Sequence, residues 1–204
     1  RNNIPIEEKS AARKRLGLPD CLTILSAGGS QGASRLNEAV VQLLAYEQKK
    51  GNINHIHGYG KHGRDTFMQS LEDNGVDAGN PHFIIKEYID NMYTCMCASD
   101  LIITRAGAMT LTEITAIGRA SVLIPYPYAA ENHQYYNALT LQNANAGRII
   151  DDKELTGSVL IDTVNRLADD PELLRLMSEN AAKLSKRDAA GIILREITEL
   201  MGIK

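Results

Sequence analysis

Residues 21–36, C-L-T-I-L-S-A-G-G-S-Q-G-A-S-R-L, determine the fold class of this chain. The apolar run at residues 21–26 predicts a buried β-strand, and the glycines that follow predict the turn that ends it. Beyond the turn, apolar side chains recur at the 3.6-residue period of an amphipathic helix: Leu36, Val40, Leu43, Leu44. A strand that leads through a glycine-rich turn into a helix is the unit of a parallel α/β sheet.

The same alternation runs through the rest of the chain. Further strands are predicted at residues 53–57, 82–85, 100–104, 120–124 and 148–150. Helices are predicted at residues 64–74, 92–98, 109–117, 134–145, 156–168, 171–186 and 189–201. We therefore predict one domain over residues 1–204 with an open, doubly wound, Rossmann-like parallel sheet. Its lead-in is residues 1–20, and its C-terminal helices are in residues 155–204.

Composition narrows the class of protein. Hydrophobic residues at 44% and charged residues at 23% are typical of a folded globular chain. A net charge of −3 without a basic, aromatic-rich stripe argues against a nucleic-acid partner. The sequence has no signal peptide and no apolar run of about 18 residues, and its three cysteines lack paired spacing, so we expect a reduced, cytoplasmic protein. Because it begins at Arg1 without an initiator Met, we expect a piece of a longer protein.

Ligands of a doubly wound sheet bind outside the carboxyl ends of its strands. The segments after the first, third, fourth and fifth predicted strands should therefore line one site: residues 28–34, 87–92, 105–113 and 125–137. In the first, G-G-S-Q-G-A, glycines let backbone amides approach a phosphate at a helix N-terminus. The same residues also fit a tight turn without a ligand, since the spacing matches neither a dinucleotide site nor a P-loop.

The third segment, R-A-G-A-M-T-L-T-E, combines a helix start with a carboxylate. Gly107 and Ala108 leave the helix entrance open, so the amides of Met109 and Thr110 can face an anion. Glu113 follows about 5 Å along the helix, close to the separation of an α-phosphate from a ribose diol. Its carboxylate can accept hydrogen bonds from both hydroxyls of the diol. Alternatively, Thr110 and Glu113 form a capping box.

The other two segments offer further hydrogen-bonding groups. In E-Y-I-D-N-M an apolar residue can cover a flat base while its main chain bonds the base edge. Alternatively, Asp90 or Asn91 caps the next helix. The segment after the fifth strand is long and rich in amides and hydroxyls, which suits recognition of sugar hydroxyls, although a solvated loop has a similar composition.

Together, four stretches resemble one family. They are G-G-S-Q-G-A at 28–33, E-Y-I-D-N-M at 87–92, R-A-G-A-M-T-L-T-E at 105–113 and H-Q-Y-Y-N-A at 133–138. Their order and spacing are similar to those in the C-terminal domain of the MurG family of undecaprenyldiphospho-muramoylpentapeptide β-N-acetylglucosaminyltransferases. The resemblance covers nearly the whole chain. It implies one half of a two-domain GT-B glycosyltransferase, with the general base and the acceptor cleft in the other half.

The resemblance also implies contacts with UDP-N-acetylglucosamine (UDP-GlcNAc). The nucleotide contacts are Ser30 at the diphosphate, Ile89 on uracil through its main chain, Ala108, Met109 and Thr110 at the phosphates, and Glu113 on the ribose. Gln134 would bind the sugar, and Arg1 would lie near the nucleotide. Four neighbours are further candidates: Gly29, Gln31, His133, Asn137. Of these, His133 replaces the first residue of a Gln-Gln pair, and its ring can also donate a hydrogen bond.

The implied activity is inverting transfer of N-acetylglucosamine to the 4-hydroxyl of a lipid-linked muramoyl-pentapeptide, which converts lipid I to lipid II in peptidoglycan synthesis. No cofactor or metal is implied. The full-length protein would be peripheral on the cytoplasmic face of the bacterial inner membrane, and the other domain would hold the lipid-linked acceptor. The alternatives are a UDP-sugar epimerase or lipid galactosyltransferase domain of the same fold, and a non-catalytic nucleotide-binding module.

Two other patterns are interpreted as structural. His55 and His57 alternate on a predicted strand, and we interpret them as a strand-edge pair rather than as metal ligands. In the last predicted helix, four apolar residues share one face: Ile192, Ile193, Ile197, Leu200. This face either closes the core of the domain or reaches towards another domain.

Overall fold

All six predicted strands are present in the computed structural model of the chain, which describes residues 6–185 and 189–201. Each begins and ends within one residue of its predicted bounds: β1 (Leu22–Ala27), β2 (Ile53–Gly58), β3 (Phe83–Lys86), β4 (Leu101–Thr104), β5 (Ala120–Leu123) and β6 (Gly147–Ile149). The strands are all parallel and pair in the order β3-β2-β1-β4-β5-β6. The predicted doubly wound sheet is therefore confirmed.

The described residues form nine α-helices. They are α1 (Lys9–Leu16), α2 (Ser34–Lys50), α3 (Phe67–Asp73), α4 (Met92–Ala98), α5 (Ala108–Ile117), α6 (His133–Asn143), α7 (Gly157–Ala168), α8 (Pro171–Lys183) and α9 (Ala189–Leu200). The third begins at Phe67 rather than at residue 64, because residues 64–66 form turns that follow the 3₁₀ helix at Lys61–Gly63. In α9, Ile197 and Leu200 are 47% and 86% exposed, whereas the side chains of Ile192 and Ile193 lie outside the described part.

The helix α1 was not predicted, because its sequence is mostly polar and lacks an apolar period. Arg13 on this helix is buried, and its guanidinium forms ion pairs with Asp20 at 2.7 Å and Asp100 at 2.5 Å. The same side chain donates from Nε to the carbonyl of Ala98. These polar contacts, together with the burial of Ala12 in an apolar core, hold α1 on the domain.

Helices cover both faces of the sheet, and each face has its own apolar core. One core contains side chains of α2, α3 and α7, and the other contains side chains of α1, α4, α5 and α6. The strand order changes direction between the neighbours β1 and β4, whose following helices, α2 and α5, lie on opposite faces. Because these helices diverge, a crevice opens at the carboxyl ends of the central strands.

His55 and His57 lie on β2, an interior strand, so the strand-edge interpretation is wrong. Both rings are fully buried in a hydrogen-bonded chain. His55 Nδ1 lies 2.7 Å from Glu47 Oε2 on α2, while Ser26 Oγ lies 2.6 Å from His55 Nε2 and 2.7 Å from His57 Nδ1. Burial, and secondarily the neighbouring His55, lowers the pKa of His57 well below its usual value of 6.5. The rings are therefore part of the core.

The described residues contain neither a cluster of metal-ligating side chains nor a helix suited to span a membrane. Within residues 6–185 and 189–201, no group of three or more His, Cys, Asp or Glu side chains is arranged to hold a metal ion. No helix in the same described ranges has the length and apolar character needed to cross a membrane. Cys95 and Cys97 are both buried on α4, and burial raises the pKa of Cys95 to about 11.

Candidate functional site

A cavity of about 380 Å³ lies at the carboxyl ends of β1, β2 and β3, beside the start of α4 and the second turn of α5. A volume of this order is typical of small-molecule sites. Its lining comes mainly from three of the four predicted segments: Ala27, Gly29, Ser30, Gly58, Glu87, Tyr88, Ile89, Asp90, Met92, Tyr93 and Glu113. The structure thus brings together four of the predicted residues: Gly29, Ser30, Ile89, Glu113.

The glycine-rich segment after β1 is a tight turn held by the loop after β2. The amide of Gly32 donates to the carbonyl of Gly29 at 2.9 Å, and the amide of Lys61 donates to the carbonyl of Ser30 at 3.2 Å. A Cβ on Gly32 would lie 2.3 Å from the carbonyl oxygen of Tyr59, and the φ of +84° also favours glycine. Ser30 itself is exposed at the cavity. The segment is therefore both a structural turn and a wall of the cavity.

The helix α5 begins without a side-chain cap. Its N-cap residue is Gly107, so the amides of Ala108, Met109 and Thr110 have no intrahelical carbonyl and no capping side chain. The capping-box alternative is wrong, because such a box needs Ser or Thr at the N-cap and Glu or Gln three residues later. Thr110 is instead the third helical residue, and Glu113 is the sixth. The helix start is thus available to an anion.

Glu113 lines the cavity from the second turn of α5, where it meets Tyr93 from α4. The Tyr93 hydroxyl donates to Glu113 Oε1 at 3.0 Å, and both residues are half-buried. Tyr93 was not among the predicted site residues, although it directly follows the E-Y-I-D-N-M segment. Its position in the first turn of a helix that follows β3 is the sequence signal that could have identified it.

Ile89 is buried against the floor of the cavity, with 5% of its surface exposed. A Cβ on Gly58 would lie 3.1 Å from Ile89 Cδ1, so the side chain packs on the end of β2. Within the described residues, the amide and carbonyl of Ile89 form no backbone hydrogen bond. Asn91 is the N-cap residue of α4, but its side chain does not cap the helix amides, so the capping alternative is wrong for this residue.

The segment after β5 lies against the start of α5, but none of its described residues lines the cavity. Gln134 Oε1 accepts hydrogen bonds from the amides of Ala106 at 3.2 Å and Tyr126 at 3.0 Å. Asn137 Nδ2 donates to the carbonyl of Ala106 at 3.2 Å. The expectation that all four segments line one cavity therefore holds for three of them. Gln134 and Asn137 join the fourth segment to Ala106 in the segment after β4.

Of the other predicted residues in the described ranges, His133, Gln31 and residues 108–110 do not line the cavity. His133 is exposed, and its Nδ1 donates to the carbonyl of Ala130 at 2.9 Å. Gln31 is also exposed, and its carbonyl accepts from the amide of His62 at 2.8 Å. Arg1 lies outside the described residues.

Arg105, at the end of β4, connects three loops. Its Nη1 forms an ion pair with Asp152 Oδ1 at 2.6 Å and donates to the carbonyls of Ile124 at 3.2 Å and Pro125 at 3.3 Å. Asp152 also pairs with Arg35 at 3.4 Å. The side chains of Arg105 and Asp152 are only 14% and 13% exposed. The loops after β4, β5 and β6 are therefore held in one arrangement, which the sequence spacing did not indicate.

A family model described as the Glycosyltransferase family 28 C-terminal domain matches residues 23–192. The matched range contains nearly all of the six-stranded sheet and the whole of the cavity lining. It therefore covers the fold and the candidate site together.

Two curated proteins with related sequences carry the same name. The UDP-N-acetylglucosamine–N-acetylmuramyl-(pentapeptide) pyrophosphoryl-undecaprenol N-acetylglucosamine transferase of Desulforamulus reducens is 38% identical over 183 residues, which are 89% of this chain and 49% of that protein. The protein of the same name from Desulfitobacterium hafniense is 40% identical over 181 residues, 88% of this chain and 49% of that protein. The chain thus spans about half the length of these relatives.

Solved structures agree with this similarity. The crystal structure of Acinetobacter baumannii MurG has a TM-score of 0.77 at 29% identity, covering 96% of this chain and 54% of that chain. A UDP-GlcNAc 2-epimerase from Neisseria meningitidis, bound to UDP-GlcNAc, has a TM-score of 0.63 at 12% identity, covering 94% of this chain and 48% of that one, and shares the fold alone. With its fold, its site and most of its length matched, the chain belongs to the glycosyltransferase family 28 C-terminal domain family.

Proposed function

We propose that this chain is the donor-binding half of an inverting N-acetylglucosaminyltransferase. The reaction is transfer of N-acetylglucosamine from UDP-GlcNAc to a lipid-linked N-acetylmuramyl-pentapeptide, the lipid I to lipid II step of peptidoglycan synthesis. Two relatives at 38% and 40% identity carry this activity in their names. Because the chain spans about half of each, we assign the acceptor cleft and the general base to the remaining half.

The observation that carries the proposal is the set of hydrogen-bonding groups at one cavity and at the helix start beside it. The main chain of Ile89 offers a donor and an acceptor to the edge of a base, and the carboxylate of Glu113 offers acceptors to a ribose diol. The uncapped amides of residues 108–110, one turn away on the same helix, offer donors to a diphosphate. Ser30 borders the same space and can donate from its hydroxyl. Uracil, ribose and diphosphate occur in the same order along UDP.

In this proposal, the residues of the chain act through binding and electrostatics. Negative charge grows on UDP as its bond to the sugar breaks, and the amides at the start of α5 stabilise that charge. The acceptor hydroxyl attacks from the opposite face of the sugar, so an α-linked donor yields a β-glycoside. We assign no general base to this chain, since the attacking hydroxyl arrives from the other half.

The sugar contact is assigned to Gln134, with one restriction that follows from its bonds. Its Oε1 already accepts from two main-chain amides, so its side-chain nitrogen is the group that can donate to the sugar. His133, next to it at the start of α6, and Asn137, one turn later, are further candidates. Arg1 is proposed to lie near the nucleotide in the whole protein.

The location of the whole protein is part of the same proposal. The acceptor in the names of the relatives is linked to undecaprenol, a lipid that is held in a membrane. We therefore propose a peripheral protein at the cytoplasmic face of the bacterial inner membrane, in contact with lipid only through the other half. The present half would meet the water-soluble donor.

The experiment is a thermal-denaturation series with UDP-GlcNAc, UDP and the ADP-, GDP- and dTDP-sugars, each with and without EDTA. We expect stabilisation by UDP and UDP-GlcNAc, about 2.7 kcal/mol at 100 times the Kd. EDTA should have no effect, because amide dipoles rather than a divalent cation meet the phosphate charge. Equal stabilisation by an ADP-sugar would contradict the uracil assignment.

A second assay separates binding from turnover. The chain alone should bind UDP-GlcNAc without transferring its sugar to a lipid I analogue, because orientation of the acceptor is worth about 7–11 kcal/mol of the barrier. Restoring the other half should restore transfer. Substantial transfer by the 204-residue chain alone would mean that the general base lies within it.

A further inference from the structure

A tyrosine hydroxyl lies beside the carboxylate that we assign to the ribose. Tyr93 is the second residue of α4, and Glu113 lies on α5, which packs against α4. The hydroxyl donates to Glu113 Oε1 at 3.0 Å, and both residues line the cavity of about 380 Å³. This hydrogen bond is therefore at the wall of the cavity, within reach of a ligand, rather than inside one of the two apolar cores.

The chemistry of the pair differs from that of a carboxylate alone. A phenol that donates its proton keeps two lone pairs on its oxygen, so Tyr93 remains an acceptor after it has bonded Glu113. A ribose diol carries two adjacent hydroxyl donors. A carboxylate oxygen can accept more than one hydrogen bond, so Glu113 and the neighbouring phenol oxygen together offer an acceptor to each hydroxyl. The bond also fixes the carboxylate before the ligand arrives, which lowers the entropy cost of binding.

We propose that Tyr93 and Glu113 together recognise the cis-diol of a ribonucleotide, and that Tyr93 is a specificity-determining residue that distinguishes ribose from deoxyribose. Glu113 accepts from one hydroxyl, and the Tyr93 oxygen accepts from the other. This inference rests on the proposed function, because it takes the cavity to be the nucleotide site. A purely structural Tyr93, which only joins α4 to α5, would instead affect all ligands alike.

The test is calorimetric titration of the 204-residue chain with UDP, 2′-deoxy-UDP and 3′-deoxy-UDP, before and after Tyr93→Phe. In the variant, the affinity for UDP should fall about three- to tenfold, the value of one hydrogen bond. The affinity for one of the two deoxy ligands should change by less than about twofold, because that ligand lacks the hydroxyl that Tyr93 accepts. Thermal denaturation of the unliganded variant measures any change in stability separately.

The matched control is Tyr136→Phe, which removes a hydroxyl from a tyrosine that is 63% exposed and outside the cavity. It should leave all three affinities unchanged. An equal loss for the three ligands, or no loss for any, overturns the assignment of Tyr93 while leaving the UDP site in place. Wild-type chain that binds UDP no more tightly than ADP overturns the proposed function and this inference with it.

Discussion

Two neighbouring regions of the site use their polar groups in opposite ways. The open wall is formed by Ser30, Ile89 and Glu113, which present a hydroxyl, a main chain and a carboxylate at the cavity. The uncapped helix start at residues 108–110 lies one turn from Glu113 on the same helix. The braced loop, residues 125–137, is richer in amide and hydroxyl side chains, but two of its amides, those of Gln134 and Asn137, already bond the protein. Polar composition alone therefore does not identify the residues available to a ligand.

The difference lies in which groups the fold has already satisfied. Gln134 and Asn137 bond the main chain of Ala106, and Arg105 bonds the carbonyls of Ile124 and Pro125. Removing such a bond leaves a main-chain group without its partner, so it costs stability. Removing a group of the open wall should instead change affinity with little effect on the fold. The substitutions Glu113→Gln and Gln134→Leu test this distinction directly.

The largest effect is expected for Gly32→Ala, which disrupts the turn that supports Ser30. The φ of +84° is unfavourable for alanine, and the new Cβ would lie 2.3 Å from the carbonyl oxygen of Tyr59. We expect the free energy of unfolding to fall by about 2–4 kcal/mol, with a loss of UDP binding. Urea denaturation and calorimetry measure the two quantities.

Gly17→Ala is the matched control for Gly32→Ala. Gly17 has a φ of +73°, but a Cβ at this position would have no atom within 4 Å, so the substitution carries the backbone penalty without the overlap. It should cost about 1 kcal/mol and leave the affinity for UDP unchanged. Equal losses in the two variants would show that φ alone, and not the contact with Tyr59, makes glycine necessary at residue 32.

The second prediction concerns Glu113→Gln in the open wall. The charged acceptor is lost, so the affinity for UDP should fall by a factor that corresponds to about 1.5–3 kcal/mol. The amide oxygen can still accept from Tyr93, so the unfolding free energy should stay within about 0.5 kcal/mol of the wild-type value. Loss of stability with an unchanged affinity would place Glu113 among the structural residues.

The third prediction concerns Gln134→Leu in the braced loop. Two amides, those of Ala106 and Tyr126, lose their acceptor, so the unfolding free energy should fall by about 1–3 kcal/mol. Affinity for UDP, which lacks the sugar, should be nearly unchanged. Gln134→Glu keeps an acceptor oxygen and is the control. If Gln134→Leu weakens UDP binding without lowering stability, the distinction between the two regions is wrong.

The smallest effect is expected from pH and arises in the core, away from both regions. The pKa of His57 is lowered well below 6.5 in the folded chain, mainly by burial. As pH falls below about 6.5, the unfolded chain binds a proton that the folded chain does not, so stability decreases by up to about 1.4 kcal/mol per pH unit. Above that pH this contribution is constant. Denaturant titrations from about pH 7.5 to about pH 6, where the loss stays below about 1 kcal/mol, should show the slope, and His57→Gln should reduce it.

The fold was predictable because its signals are local. Most strands are short apolar runs, and β1, β2 and β5 end at, or within two residues of, a glycine or proline. The crossover helices have their own apolar period, as in residues 34–50. The helix α1 was missed for the opposite reason. It depends on ion pairs of Arg13 with Asp20 and with Asp100, which is distant in sequence, and no local window of sequence reveals the second of these pairs.

The same contrast applies to the site. The turn at Gly29 and the uncapped start of α5 are determined by neighbouring residues, so they could be predicted. The hydrogen bond from Tyr93 to Glu113 depends on how α4 packs against α5, and the ion pair of Arg105 with Asp152 depends on where the loop after β6 lies. Such partners follow from tertiary packing, and local patterns in a single sequence do not reveal them.

The strand order also has a kinetic consequence. Strands β1 to β3 come from residues 22–86 and β4 to β6 from residues 101–149, and among the described strands only the pairing of β1 with β4 joins the two three-stranded units. That pairing brings Ile24 to Leu101, and contacts between such distant segments form slowly because loop closure comes first. The crevice does not exist until the units have docked. During refolding, a fluorescent UDP analogue should therefore bind only after the helical signal has returned, and its binding would report the last step of assembly.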